Sequence, residues 1–180
     1  GYGLPIGGVV ATDVEHGEQG GAISPGAVGF DINCGVRAVA LNIEADDIPN
    51  LEKLARRLNG RIPAGGSGKG GIKITESELN LILRAGLEEL DSINVEQHHT
   101  IGNVESEGSF EVDEIRISHR AKQRGLKALG TLGSGNHFLE LQRVSEIVEA
   151  ETAKEWNLSE NQVVAMIHSG SRGLGHQVCS

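Results

Sequence analysis

The stretch Gln162–His176, QVVAMIHSGSRGLGH, sets the plan of the chain. Its first half is apolar and β-branched enough for a strand, and the spacing ends that strand at His168. The glycines and serines that follow read as a tight loop, with a helix after it. Working backwards, HFLELQ (137–142) reads as a strand leaving the glycine loop GTLGSG, and VRAVALNI (36–43) has the content of a buried strand. Helical spacing places a short amphipathic helix at DDIPNLEKLARRLNG, with Leu51, Leu54, Ala55 and Leu58 on one face and Gly60 as its stop. TESE supplies a capping box at Thr75 and Glu78, leading into Leu79, Ile82, Leu83, Leu87 and Leu90 on one face. SHRAKQRG gives a helix from a Ser118 cap to a Gly125 stop, and SEIVEAETAKEW gives another. Residues 94–116 are polar, acidic and aperiodic, as in a surface excursion. The expectation is a single α+β unit over residues 1–180, with mixed sheets, surrounding helices and many Gly-rich loops.

Composition narrows the function classes. The chain has 180 residues, 38% hydrophobic and 23% charged, which is globular. No apolar run approaches the roughly 18 residues that a membrane span needs, and no signal peptide is visible. A net charge of -9 argues against nonspecific coating of nucleic acid, yet it permits a local cationic pocket for one phosphate. The two cysteines, Cys34 and Cys179, are expected as free thiols in a cytoplasmic protein. Glycine is abundant: 26 of 180 residues, against a usual share of about 7%. The opening GYGLPIGG is not an initiator sequence and HQVCS stops just after a loop, so the chain is expected to be an internal piece of something longer.

Three segments combine glycines with side chains that bind metals or phosphates: GFDINCG (29–35), GTLGSGNHFLE (130–140) and IHSGSRGLGH (167–176). Asp31, Cys34, His137 and His168 together offer a carboxylate, a thiolate and two imidazoles, a full donor set for a borderline divalent metal. Taken singly, each has a plainer reading. A lone Cys is usually a small buried hydrophobe, Asp31 suits a turn, and a His at a strand end is more often structural. In the third segment Ser169, Ser171 and the amides of Gly170 and Gly173 suit phosphate oxygens, with Arg172 as a bidentate donor. Arg124 is a second phosphate clamp or an arginine on a solvated helix face. GGSGKGG (65–71) departs from a Walker A motif, with Pro63 where the first glycine belongs and Gly70 where the hydroxyl belongs. His16, His98, His99 and His119 lie in polar stretches and read as solvated. Strict alternation sets His137 on the face opposite Phe138 and Glu140, unless the turn glycines hold it ahead of the pleat.

GYGLPIGG, GFDINCGVR, LGTLGSGNHFLELQ and MIHSGSRGLGHQVC, in that order along the chain, resemble the RtcB family of GTP-dependent RNA-splicing ligases. The resemblance implies an RtcB-like fold and a central portion of that family's catalytic domain. It also implies joining of RNA 2′,3′-cyclic phosphate or 3′-phosphate ends to 5′-hydroxyl ends, with GTP and manganese. By position, Asp31, Cys34, His137 and His168 match the family's metal ligands, with Cys34 bridging two Mn2+ ions. Asn136, Phe138 and Glu140 match its guanine-nucleotide contacts, and Arg124 and Arg172 its RNA or phosphate contacts. The donor chemistry alone favours zinc; manganese comes from the resemblance. The family's guanylylated histidine is expected beyond Ser180, so the chain alone is expected to be inactive. His176 is not assigned that role. Expected partners are RNA ends of this kind, with tRNA halves a candidate substrate and an archease-type activator a candidate partner. The alternatives are a noncatalytic metal- or phosphate-binding module and a metal-dependent cyclic phosphodiesterase.

Overall fold

The computed structural model describes residues 8–13, 15, 17, 20–22, 24–65, 71–93, 95 and 101–180. The opening GYGLPIG, the centre of the GGSGKGG loop, and His16, His98 and His99 lie outside the described residues. Among the described residues, helices accompany one antiparallel three-stranded sheet, the α+β class that the segment pattern predicts. The strands are β1 (Gly35–Glu44), β2 (Phe138–Arg143) and β3 (Gln162–Ser169), in the order β1-β3-β2. The helices are α1 (Leu51–Arg61), α2 (Glu76–Ala85), α3 (His119–Ala128), α4 (Ala150–Glu155) and α5 (Arg172–Cys179). Among the described residues no helix is long and apolar enough to cross a membrane.

The register fixes which side chains share a face. Val36 and Phe138 both pair with His168, and Ala38 and Glu140 both pair with Met166. Directly opposed residues point to the same side of a sheet, so Phe138, Glu140 and His168 share one face. Leu139 and Leu141 occupy the other, where they and Leu132 meet Leu51, Leu54, Ala55 and Leu58 of α1 across an apolar cleft of 360 Å³. The strand β1 forms where the sequence predicts it but is not buried: Val36, Val39 and Ile43 stay exposed on an edge strand. β-branched content reports a fit to the pleat and says nothing of which face is covered.

Caps explain the helix starts. Asn50 accepts from the Lys53 amide ahead of α1, and Ser118 accepts from the Ala121 amide ahead of α3. The capping box before α2 is reciprocal, with Thr75 and Glu78 each satisfying the other's amide. Neither predicted glycine stop ends its helix. α1 continues one residue past Gly60, and α3 runs through Gly125 to Ala128. Gly125 instead lets α3 approach α5, since a Cβ there would lie 2.7 Å from Leu174 Cδ1. The predicted face of α2 is cut at Gly86 (φ 69), and Leu87 and Leu90 continue in a tighter 3-10 segment, Gly86–Ile93. The helix expected over 145–156 shortens to α4, which Glu149 caps through the Thr152 amide. Residues 101–116 hold only short 3-10 turns, Ile101–Asn103, Glu105–Gly108 and Glu114–Arg116, joined by irregular backbone.

Candidate metal centre and cationic cleft

The antiparallel topology gathers the ligand-bearing segments at one end of the sheet. Cys34 immediately precedes β1, His137 immediately precedes β2, and His168 is the penultimate residue of β3. Because β3 runs opposite to both neighbours, the starts of β1 and β2 lie beside its end. His137 therefore sits ahead of the pleat, and the alternation that would turn it away from Phe138 does not apply to it.

Cys34, His137 and His168 present ligand atoms that all lie within 4.8 Å of one another. Cys34 Sγ is 2.8 Å from His168 Nε2 and 3.8 Å from His137 Nε2. The expected fourth member, Asp31, borders this group through His137, with Oδ2 2.6 Å from His137 Nε2. Its other oxygen accepts from the Arg172 amide at 2.9 Å and from Ser171 Oγ at 3.3 Å.

The donor chemistry fits a cation. His137 Nδ1 lies 3.1 Å from the Leu132 carbonyl, which can only accept, so Nδ1 carries the ring proton. In the neutral ring Nε2 then offers a lone pair, the tautomer that a metal ligand requires. Asp31 Oδ2 lies 2.6 Å from that nitrogen, and two opposed lone pairs at such a distance need a proton or a cation between them. The Cys34 thiol is pushed above its ordinary range, first by burial, then by the negative charge of Asp31 and its hydrogen bond. A divalent cation at this point reverses that preference and deprotonates a coordinating thiol. The residues present therefore suit a metal ion.

Close backbone approach depends on specific glycines. Gly133 has φ 117, and a Cβ there would overlap His137 Nδ1 and the Arg172 guanidinium. A Cβ on Gly170 would lie 2.6 Å from Asp31 Oδ2. Asn33, between Asp31 and Cys34, has φ 59, a conformation that asparagine tolerates better than most residues.

Beside the group opens a cleft of 470 Å³ whose wall includes Asp31, Asn136, His137, Arg124, Lys127, Arg172 and His176. Arg172, itself at φ 56, donates from Nη2 to the Gly65 carbonyl at 2.9 Å. Arg172, read from the sequence as a phosphate donor, and Arg124, read as either a phosphate clamp or a solvated helix-face arginine, thus rim one cleft. The serines behave differently from their sequence reading. Ser169 donates to the Leu132 carbonyl at 2.7 Å and Ser171 to Asp31, so both hydroxyls are engaged within the protein. Asn136 reaches this cluster, with Nδ2 3.5 Å from His168 Nε2. Phe138 packs on His168 with ring centroids 5.3 Å apart. Glu140 lies further along the same face and accepts from Gln142 at 2.9 Å. Lys127 and His176 line the cleft without having been singled out as ligands. Cys34 and Cys179 are both free thiols.

The family model described as tRNA-splicing ligase RtcB matches residues 1–180. A protein of Methanococcus maripaludis named tRNA-splicing ligase RtcB is 47% identical across the whole chain, and one of Aeropyrum pernix with the same name is 46% identical. An Entamoeba dispar protein named RNA-splicing ligase RtcB homolog 2 is 45% identical over 99% of the chain. The chain spans 37% of the length of the first two and 34% of the third.

Proposed function

The chain belongs to the RtcB family, and from that premise we propose that it forms the central part of the catalytic domain of an RNA ligase. The ligase joins RNA 2′,3′-cyclic phosphate or 3′-phosphate ends to 5′-hydroxyl ends with GTP and Mn2+. The observation that supports this most is the convergence of Cys34, His137 and His168 at one end of the sheet, opening on a cleft rimmed by Arg124 and Arg172. A ligand cluster next to guanidinium donors suits a substrate whose reacting group is a phosphate.

On this reading Cys34, His137 and His168, with Asp31 alongside, would hold the manganese, Cys34 supplying the thiolate. The metal supplies neutralisation of phosphate charge when bound. The chain's own residues do the rest of the work assigned here. Leu132 fixes the His137 tautomer, and Gly133 keeps the ring and the Arg172 guanidinium in close company. Asn136, Phe138 and Glu140 line the approach taken by the guanine nucleotide, and Arg124 and Arg172 hold the RNA-end phosphate. No residue of this chain is assigned as the guanylylated nucleophile. tRNA halves are the proposed substrate, an archease-type activator a proposed partner, and the cytoplasm the proposed location.

The test uses the full-length protein, with manganese and GTP, on RNA bearing 2′,3′-cyclic phosphate and 5′-hydroxyl ends. Joined product that requires GTP supports the ligase; opening of the cyclic phosphate without GTP and without joining supports a phosphodiesterase instead. Cys34→Ala is expected to abolish manganese binding and guanylylation together. Normal GMP loading by that variant would remove the metal assignment.

A further inference from the structure

Five arginines among the described residues divide by the company they keep. Arg56, Arg84 and Arg116 each pair with a carboxylate, from Glu52, Glu114 and Asp113 respectively. The two that rim the cleft are held by neutral acceptors. Arg124 donates from Nη1 to Gln177 Oε1 at 3.2 Å and from Nη2 to His176 Nδ1 at 3.1 Å. A guanidinium has no lone pair to offer, so these contacts require the amide oxygen of Gln177 and an unprotonated Nδ1 on His176. Both acceptors lie on α5, and Arg124 lies on α3, more than fifty residues away in sequence.

Packing reinforces the arrangement from two further sides. A Cβ on Gly173 would lie 3.2 Å from Arg124 Nε and 3.3 Å from its Cβ, so this glycine lets the arginine lie close against the start of α5. Phe30 meets the His176 ring edge to face, with centroids 5.2 Å apart and an interplanar angle of 88°, which orients the imidazole. Asp31 is the only carboxylate among the described residues that line the cleft, and it already accepts from Ser171 and Arg172. In a chain of net charge -9, Arg124 thus has no carboxylate partner among the described residues.

We propose that His176 and Gln177 are positioning residues that hold the Arg124 guanidinium in the cleft by neutral acceptors, so that its charge remains available to the terminal phosphate of a 3′-phosphorylated RNA end. The inference rests on the ligase reading for the identity of the ligand. The physical content is the choice of acceptor. A carboxylate at either position would hold Arg124 at least as firmly but would neutralise it. An asparagine in place of His176 keeps a neutral acceptor near Nδ1.

The experiment titrates the full-length, manganese-loaded protein with a 3′-phosphorylated oligoribonucleotide and with its 3′-hydroxyl counterpart, read by fluorescence anisotropy. The wild type is expected to prefer the 3′-phosphate. His176→Asp and Gln177→Glu should each weaken binding of the phosphorylated oligonucleotide roughly tenfold or more, the scale of a hydrogen bond to a charged group. Binding of the 3′-hydroxyl oligonucleotide should not change, and His176→Asn should retain the preference. A purely structural role predicts no such split, with the carboxylate variants as good as the asparagine. That outcome overturns the proposal, as does a wild type without preference for the phosphate. If His176→Asp does not fold, Gln177→Glu gives the same reading. GTP-dependent joining by the wild type is scored separately. Joining together with carboxylate variants that keep the preference removes the positioning role alone. A preference that the carboxylate variants lose, in a protein that does not join ends, keeps the positioning role and removes the ligase.

Discussion

The cleft end of the sheet and the α2 region treat charge in opposite ways. Around α2 charged groups are closed locally: Glu78 accepts from the Thr75 amide and hydroxyl, Arg84 pairs with Glu114, and Glu76 takes His119 and Gln123 of α3. At the cleft Arg124 and Arg172 are held by a ring nitrogen, an amide and a backbone carbonyl. The backbone differs as well. Gly133 and Arg172 sit at positive φ beside the ligand cluster, whereas α2 starts from an ordinary extended cap at Thr75. Local satisfaction stabilises a scaffold and leaves nothing to offer a ligand. Unpaired charge and strained backbone cost stability where they occur, and both occur here beside the groups assigned to bind.

The largest break in this contrast is expected at Gly133. In Gly133→Ala the new Cβ collides with His137 Nδ1 and Arg172 at a φ that alanine rarely adopts. Losing the support of a metal ligand typically costs roughly 10–100-fold in metal affinity, so manganese affinity measured by calorimetry on the full-length protein should fall by that order. An unchanged affinity would mean that the approach of residue 133 to His137 has no bearing on the site. Arg172→Lys comes next. A lysine cannot keep the fork that reaches both Gly65 and Thr131. Ligation of 3′-phosphate ends should fall about tenfold, the worth of one charged hydrogen bond, with manganese affinity preserved. Equal losses in both would place Arg172 in the metal shell.

Much of this contrast was legible in the sequence, for different physical reasons. The caps at Thr75 and Ser118 are local, so three or four residues carry the whole signal. The grouping of Cys34, His137 and His168, with Asp31 beside them, was legible as a candidate set, because thiolate, imidazole and carboxylate beside glycines is a chemical pattern that needs no distances. The environment of Arg124 was not. Its sequence context fits a solvated helix face equally well, and only the crossing of α3 and α5 at Gly125 and Gly173 brings it to His176 and Gln177. The glycine stops failed for the same reason: Gly125 is a packing contact, and a contact between distant helices leaves no mark in local spacing. The displacement of His137 from the pleat depended on where β2 begins, the least certain kind of boundary to read from propensity.

The α2 side is expected to break gently. Thr75→Ala removes the hydroxyl that caps the Glu78 amide and should cost about 1 kcal/mol of stability, the usual worth of an N-cap, read by chemical denaturation. Manganese binding should not change, because the hydrogen bonds of this cap join Thr75 only to Glu78 among the described residues. A loss of metal affinity in Thr75→Ala would show that the two regions are coupled, contrary to their separate electrostatics.

The smallest effect is a matter of pH. Glu78 is held below the ordinary carboxylate range, first by the Thr75 backbone amide and then by the Thr75 side chain. A carboxyl with a lowered folded-state pKa binds fewer protons folded than unfolded. Its contribution is therefore present above the unfolded pKa and lost as pH falls through the folded one. Glu78→Gln keeps an acceptor for the Thr75 amide but cannot titrate. The stability gap between wild type and Glu78→Gln should thus favour the wild type at neutral pH and narrow on acidification below the ordinary glutamate range. Glu114 is also lowered, mainly by its hydrogen bond with Arg84, and it remains in both proteins, so the difference isolates Glu78. A gap that stays constant down the acid series would show that the box depends on hydrogen-bond geometry alone, with no part for the charge.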